Sequence, residues 1–428
     1  MPGRTTRDHH PEGETTMPTM SSTTPDLTPD YDALVQHFDE FAAAEVTPRV
    51  QHMESSPHTV ERDLALLMAE QGWFGATISQ QYGGMHAGHL AKTLMIQSMA
   101  RASGAVGAIL QASQLPVSML IHFGSDEQKA RLLPQIAAGD TLLSIAVTEE
   151  NTGSHVLGME TTARRDGTDW IIDGSKAHIG NSHIAHVHCV VARTAPADEA
   201  GSRSLTAFLV EHDRKGLTVE PHQPALGLHG FSFGKLTFDG VRIPEANVIG
   251  EVGDGKDIAY SSSILYGRPN LAALSLGLHE AILECTTTFL SERERYGGTL
   301  ADLPVLRDRV AVMKSRLMAA RALAHQSALM LDHGQTCDGE LINAKYLNDE
   351  WAVESGQTAM RLHGAHALRR DYLLQRLWRD IQCTYAPAGT GEVQRQRLAE
   401  TEFGSPPIQW SQRLSAKTSL FPPTSAAA

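Results

Sequence analysis

Residues 141–154, TLLSIAVTEENTGS, separate two kinds of sequence. The first half, Leu142 to Val147, is short, apolar and rich in β-branched residues, which is typical of a buried strand. Before it, from about residue 31, apolar residues recur at helical spacing. After it, further short strand-like segments alternate with Gly and Asp turns as far as Val241. The stretch therefore marks the point where a helical region gives way to a β-domain.

Beyond Gly255 the spacing of apolar residues is helical again. We therefore predict an α+β multi-domain protein, with an N-terminal α-helical bundle at 31–142, a central β-barrel-like domain at 143–250 and a C-terminal four-helix-type bundle at 251–403. Residues 1–30 are polar, rich in Thr and Pro, and lack the apolar middle of a signal peptide, so we expect a disordered extension. The Pro- and Ser-rich residues 404–428 are predicted to form a flexible tail.

Composition narrows the possible partners. The 428 residues carry a formal net charge of -13, which disfavours binding to nucleic acid. No apolar run approaches the roughly 20 residues that a membrane-spanning helix needs, so we expect no membrane insertion. The four cysteines, at 189, 285, 337 and 383, have no CxxC spacing. We therefore predict neither a zinc site nor a disulfide framework, and a cytoplasmic location.

The 21 histidines could be mistaken for a metal signal. His183, His186 and His188 alternate along a predicted strand, and no carboxylate lies near them at ligand spacing. We interpret the three as one exposed face of that strand and predict no metal site.

Six short motifs follow one another in a fixed order along the chain. They are VTEENTGS (147–154), GSKAHIGN (174–181), FDGVRIP (238–244), ERERYG (292–297), LHGA (362–365) and GTGEVQR (389–395). Each is weak alone, because a glycine after a helix is commonly a simple C-cap. Together, and in this order, they resemble the acyl-CoA dehydrogenase family over about residues 31 to 402.

The resemblance implies an FAD cofactor and an acyl thioester substrate, either acyl-CoA or an acyl group on a carrier protein. The cofactor-binding positions that it implies are Val147, Thr148, His178, Ile179, Gly180, Arg293, His363, Gly364, Thr390 and Glu392. Ser154, Arg268 and Gly389 are implied to bind the substrate. Because Arg293 corresponds to a residue that meets FAD across a subunit boundary, the resemblance also implies a homodimer or homotetramer.

The family's usual general base, a glutamate, is missing from both places that the resemblance indicates. One position is Ala388, directly before the Gly-Thr pair, and the other is Gly267, directly before Arg268. Neither alanine nor glycine has a side chain that can accept a proton, so the catalytic residue is unknown. Glu392 lies close to the Gly-Thr pair in sequence, whereas Glu149 matches an ordinary family position and is interpreted as structural.

Two further departures lie on the flavin side. His178 replaces the family's usual aromatic residue, and Gly180 replaces the hydroxyl residue that bonds flavin N5 in the family. The first hypothesis is an FAD-dependent oxidoreductase of acyl thioesters that serves specialised metabolism and has a relocated or dispensed base. A non-redox elimination is a variant of this hypothesis. The alternatives are a flavin-dependent monooxygenase that uses oxygen and a non-catalytic flavin-binding protein. The electron acceptor would be an electron-transfer flavoprotein or oxygen.

Overall fold

The computed structural model describes residues 30–403 and 409–421. The predicted disordered extension at 1–30 lies outside these ranges except for Asp30. The N-terminal region is helical. Its helices are α1 (Tyr31–Phe41), α2 (Val50–Ser55), α3 (Arg62–Glu70), α4 (Gly88–Ala102), α5 (Gly104–Phe123) and α6 (Asp126–Ala137).

Helix α5 is the central helix of this region. It is apolar nearly all round, and it is the one helix in the described ranges that is long and apolar enough to cross a membrane. In the structure 83% of its most apolar 18-residue window is buried inside the protein, which is the pattern of a core helix. A neighbouring helix, α6, begins with a capping box in which Ser125 and Gln128 bond each other's backbone.

The central domain is one eight-stranded sheet. Its strands are β1 (Leu143–Ala146), β2 (Thr162–Asp166), β3 (Asp169–Gly180), β4 (Val187–Arg193), β5 (Leu205–Glu211), β6 (Leu217–Val219), β7 (Phe233–Pro244) and β8 (Val248–Ile249), with a short helix α7 (Ala197–Ala200) before β5. The hydrogen-bonded order is β6-β7-β3-β2-β4-β5-β8, and β1 pairs in parallel with β4. One face encloses a separate apolar core that includes Trp170, Phe208 and Phe238. The other face packs on the helical core.

The C-terminal region returns to helices. These are α8 (Gly255–Ser262), α9 (Arg268–Glu292), α10 (Pro304–Asp332), α11 (Asp338–His363), α12 (Leu373–Gln382), α13 (Gly391–Phe403), α14 (Trp410–Arg413) and α15 (Ser415–Thr418), with a two-stranded hairpin of β9 (Glu294–Arg295) and β10 (Gly298–Thr299) after α9. The predicted order of helical region, β-domain and helical bundle is therefore confirmed.

The prediction of a flexible tail is wrong for residues 409–421. Ser411 is buried, and its hydroxyl and backbone N–H both donate to the carboxylate of Asp338. Thr418 packs on His122 of α5, and the backbone N–H of Phe421 donates to the carbonyl of Asp332. A segment with this many buried hydrogen bonds is docked, which its Pro- and Ser-rich composition did not indicate.

The interpretation of the histidines as an exposed face is also wrong. His188 is fully buried on β4, with Nδ1 2.7 Å from the Ser144 hydroxyl and Nε2 3.2 Å from Nδ1 of His212. Burial lowers the pKa of His188 to about 3, so the ring is neutral. His183 and His186 precede the strand and are half-buried. Within the described ranges no group of three or more His, Cys, Asp or Glu side chains is arranged to hold a metal ion.

Candidate active site

Gly267 and Ala388 lie side by side, although they are far apart in the sequence. A Cβ atom placed on Gly267 would lie 3.4 Å from Cβ of Ala388 and 2.8 Å from Cδ1 of Leu115. The third-nearest atom is the hydroxyl of Ser263, at 3.7 Å. The two positions at which the resemblance places the family's base are therefore neighbours in the structure. The nearest neighbours of a Cβ at position 267 are two apolar groups and one hydroxyl, and none of these is a carboxylate.

Gly267 is the last residue of a π-helical turn, Ser263–Gly267, that joins α8 to α9. π-turns of this kind occur frequently at functional sites. Helix α5 holds the turn from both sides, because the Ser262 hydroxyl donates to the Leu115 carbonyl at 3.0 Å and the Asn270 amide donates to the Gln111 carbonyl at 3.1 Å. The helical spacing of apolar residues beyond Gly255 gave no sign of this turn, since a single π-turn leaves no mark in that spacing.

The loop that carries Ala388 is held in an unusual conformation. Ala388 has φ of 55° and Gly389 has φ of 97°. For an alanine the left-handed region costs about 1–2 kcal/mol, so other contacts must maintain it. The side-chain amide of Gln394 donates to the carbonyls of Ala388, at 2.8 Å, and Gly389, at 2.9 Å.

Arg268 lies beneath this loop. Its Nε donates to Oε1 of Gln394 at 2.8 Å, and the side chain is buried. Burial lowers the pKa of Arg268 to about 10, so the guanidinium keeps its charge at neutral pH. One nitrogen, Nη1, has no hydrogen-bond partner within the described ranges. The structure thus gives Arg268 a role in holding the loop, and its predicted contact with substrate stays a prediction.

Gly180 lies against the same helix as Gly267. A Cβ atom on Gly180 would lie 2.9 Å from Cζ of Phe231 and 3.2 Å from Cβ of Ala112. Ala112 and Leu115 are three residues apart on α5, and residues at that spacing share one helix face, with their Cβ atoms about 5–6 Å apart. Gly180 and Gly267 therefore border one face of α5. The ring of Phe231 was not among the predicted site residues, because only the fold brings it to Gly180.

The end of β3 is pinned to α5 beside Gly180. Asn181, at φ of 59°, donates to the Ile109 carbonyl at 2.7 Å and to the Ser113 hydroxyl at 2.8 Å. His178, also at φ of 59°, is exposed and stacks on Phe233 with ring centres 5.3 Å apart. The buried hydrogen bonds of Asn181 thus fix the backbone that presents His178 and Gly180.

Glu149 is structural, as the sequence led us to expect. Its buried carboxylate accepts hydrogen bonds from the backbone of Glu160 and Thr161 and from Nζ of Lys176 at 2.8 Å. Burial acts to raise the pKa of Glu149, but the Lys176 ammonium and these hydrogen bonds outweigh it and hold that pKa below its usual value. Lys176 also donates to the Val147 carbonyl at 2.9 Å. The pair therefore ties the segment around Val147 and Thr148 to β3.

The remaining predicted residues differ in exposure. Ser154 is exposed on the loop after β1, and Arg293 is half-buried at the end of α9. The ring of His363 is packed inside, where its Nδ1–H donates to the Ala359 carbonyl, so only the backbone of this residue is left for a ligand. Gly364, at φ of 56°, is open, since a Cβ placed there would meet nothing within 4 Å. The Glu392 carboxylate is exposed and pairs with Arg395 at 3.2 Å.

Three family models match the chain one after another. They describe the N-terminal domain (residues 28–140), the middle domain (144–241) and the C-terminal domain (253–403) of acyl-CoA dehydrogenases. The chain belongs to the acyl-CoA dehydrogenase family. Members of this family are flavin oxidoreductases that bind FAD. The turn at Gly364, where a Cβ would meet nothing within 4 Å, leaves backbone open to a phosphate-bearing group.

Similar proteins include one named for acyl-CoA and one named for an acyl carrier protein. An acyl-CoA dehydrogenase of Bacillus subtilis is 33% identical over 85% of this chain and 96% of its own length. The FAD complex of PigA has a TM-score of 0.82 with 26% identity, covering 88% of this chain and 98% of that one. The prolyl acyl carrier protein oxidase AnaB has a TM-score of 0.82 with 25% identity, covering 87% of this chain and 98% of that one. This acyl-CoA dehydrogenase-family protein thus has full-length similarity to members named for different substrates.

Proposed function

We propose that the protein is an FAD-dependent oxidoreductase of acyl thioesters in which neither of the family's two base positions supplies the base. The observation that carries the proposal is the meeting of Gly267, Ala388 and Leu115, where apolar groups replace a proton acceptor. When bound, FAD supplies hydride acceptance. The chain's own residues then have to bind the thioester, align it with the flavin and keep water from the reacting carbons.

We propose that five segments of the chain hold FAD. The chain around Val147 and Thr148, together with His178–Gly180, would line the ring, because Lys176 and Asn181 fix both segments. Gly364 and Arg293 would take the phosphates, since an open glycine turn and a guanidinium both suit anions. Glu392 lies in the first turn of α13, and Thr390 directly precedes that helix, next to the loop of Ala388.

The thioester would lie between Gly180 and Ala388, with Ser154 and Gly389 near it. AnaB is named as an oxidase of a carrier-bound prolyl group. A carrier-bound acyl or aminoacyl thioester, as used in specialised metabolism, is therefore included in the proposal beside acyl-CoA. A substrate whose α-proton is already acidic, or whose own amine accepts a proton, would need no carboxylate at position 388.

The experiment is anaerobic stopped-flow mixing of the FAD-loaded protein with matched acyl-CoA and acyl-carrier-protein thioesters. Loss of flavin absorbance near 450 nm is expected with one of the two carriers. No loss of absorbance with either class would refute the proposal. In that case, tight FAD binding that no thioester perturbs would favour a non-catalytic flavin protein.

A second candidate, a flavin-dependent monooxygenase, is favoured by one observation. The Phe231 ring takes the space in which a hydroxyl side chain at position 180 would lie. Such a site would offer the flavin no donor from that residue, which changes the reactivity of reduced flavin toward oxygen. Incubation with a reductant and ¹⁸O₂ tests this candidate, since a monooxygenase product carries one labelled atom and a dehydrogenase product carries none.

We further propose that the protein forms a homodimer or homotetramer. Large apolar side chains are exposed around α10 and the ends of α9 and α11: Tyr296, Val305, Val312, Met318, Leu368 and Leu373. Exposed apolar surface of this kind is typical of an interface. Light scattering on the FAD-loaded protein measures the assembly, and a monomeric mass would contradict it.

Reduced flavin would pass its electrons to an electron-transfer flavoprotein or to oxygen, and the rate of reoxidation in air separates the two.

A further inference from the structure

Lys345 on α11 is a fully buried lysine whose ammonium lies close to three oxygen atoms. Its Nζ donates to the Tyr385 carbonyl at 2.8 Å and to the Gly389 carbonyl at 2.8 Å. The same atom lies 2.6 Å from Oδ2 of Asp349, one helical turn along. The ammonium thus donates two hydrogen bonds to backbone carbonyls and forms one ion pair with a carboxylate. Two of those oxygens belong to the loop that carries Ala388.

Asp349 is held in turn by α9. The Ser275 hydroxyl donates to its Oδ1 at 2.6 Å, and the carboxylate is buried. Burial raises the pKa of Asp349 to about 6, so at pH 7 and above the aspartate is ionised and pairs with the lysine. A continuous chain of contacts therefore runs from Ser275 through Asp349 and Lys345 to the loop. This chain ends at the Gly389 carbonyl, which also accepts a hydrogen bond from Gln394. Gln394 is held in turn by Arg268.

These contacts decide how the peptide planes of the loop are turned. In a trans peptide the C=O and the following N–H point in opposite directions. Since the carbonyls of Ala388 and Gly389 face Gln394 and Lys345, the N–H groups of Gly389 and Thr390 face away from that buried network. The positive φ angles of Ala388 and Gly389 are part of the same arrangement. The left-handed region is unfavourable for alanine, so the loop is expected to leave this conformation when the clamps are removed.

We propose that Lys345 is a positioning residue, which clamps the Tyr385–Gly389 loop so that its backbone presents one fixed surface to the thioester bound beside Gly267. The inference rests on the proposed function for the identity of the ligand. The clamp itself rests only on the contacts of Lys345. In a site where neither position 267 nor position 388 carries a polar side chain, the backbone of this loop supplies the directional contacts that orient the acyl group.

Two variants of the FAD-loaded protein test the clamp. Lys345→Met removes the ammonium and both bonds to loop carbonyls while keeping most of the volume. Asn348→Leu is the matched control, because the buried Asn348 amide on the same helix also donates to two carbonyls, those of Ala320 and Ala344, which lie away from the loop. Both variants lose two buried hydrogen bonds, but only the first loses them from the loop.

The first readout is amide hydrogen exchange across residues 383–394, which needs no substrate. Lys345→Met is expected to speed exchange there about 10-fold relative to the rest of the chain, whereas Asn348→Leu leaves this segment at its original rate. Equal exchange in the two variants would overturn the proposal. Should Lys345→Met not fold, Lys345→Gln keeps an uncharged donor on a shorter side chain, and an intermediate rise confined to the same segment is expected.

The second readout uses whichever thioester bleaches the flavin of the unaltered protein. Lys345→Met is expected to slow bleaching at saturating thioester about 10-fold or more, because misplacement of a reacting group costs rate more than binding. Asn348→Leu is expected to change it less than about twofold. If no thioester bleaches the unaltered protein, the proposed function fails, and the exchange result still decides whether Lys345 clamps the loop.

Discussion

Leu115 fills the space beside Gly267, with its Cδ1 2.8 Å from the point where a Cβ at position 267 would lie. The leucine and the glycine come from different domains and fit each other. The packing of α5 against the π-helical turn before α9 therefore leaves little room for a carboxylate side chain at position 267. A glutamate at position 267 would require Leu115 to shift or to be replaced.

Gly267→Glu alone is expected to destabilise the protein by about 1–3 kcal/mol, the usual cost of overpacking a filled core. Adding Leu115→Ala makes room for the glutamate and is expected to recover part of that loss. Urea unfolding of the two single variants and the double variant measures the interaction. Simple additivity of the single effects would contradict the direct contact.

Ala388→Glu is expected to create a general base without disturbing the loop, because position 388 already accepts a side chain at φ of 55°. A positioned base contributes roughly 10²–10⁴-fold to proton abstraction, so the rate of flavin bleaching by simple acyl-CoAs should rise by at least about 10-fold. Ala388→Gln is the control of the same shape. If glutamine and glutamate raise the rate equally, the effect is not that of a base.

Gly180→Thr is expected to be disfavoured by the Phe231 ring, and Phe231→Ala to relieve the clash. The double variant would place a hydroxyl beside the flavin, where the present site has none. Reoxidation of the reduced, FAD-loaded protein in air should then change by about 10-fold or more, since hydrogen bonds tune flavin reactivity. Phe231→Ala alone is the control. Identical reoxidation in the single and double variants would show that position 180 does not reach the flavin.

The buried Lys92 is expected to make stability depend on pH. Its Nζ lies 3.1 Å from Nδ1 of His89 and 4.0 Å from the centre of the Tyr266 ring, with Asp332 and His122 also facing the cluster. Burial lowers the pKa of Lys92 from 10.5 to about 7, although the charge of the Asp332 carboxylate acts to raise that pKa. Between pH 7 and 10.5 the unfolded chain therefore holds more protons at this site, and stability rises with pH.

Lys92→Met removes that titration. The difference in the free energy of unfolding between the original protein and Lys92→Met should grow in favour of the original protein from pH 7.5 to pH 9. The expected increase is about 1 kcal/mol per pH unit, slightly less than the limiting slope of about 1.4 kcal/mol per pH unit. Urea unfolding at the two pH values measures it. A constant difference between the two proteins across this range would show that Lys92 is not deprotonated in the folded state.

Local patterns in the sequence indicated much of the fold. The change at residues 141–147, from helical spacing to short β-branched runs, predicted the β-domain, and β1 begins at Leu143. The Ser-Asp-Glu-Gln sequence at 125–128 contains the capping signal of α6, which begins at Asp126. These features depend on residues close in the chain, so a single sequence contains them. The docking of 409–421 on Asp338 and the burial of His188 depend on distant partners, and local composition pointed the other way for both.

The sequence by itself determined the order of the three regions, the family motifs and the lack of a carboxylate at positions 267 and 388. Only the tertiary structure decided that these two positions are one place, that Leu115 and Phe231 occupy the room beside Gly267 and Gly180, and that Lys345 grips the loop of Ala388. The physical reason is that each of these is a packing or hydrogen-bond contact between segments far apart in the chain. Residue spacing carries no information about such contacts until the helices and the sheet have packed together.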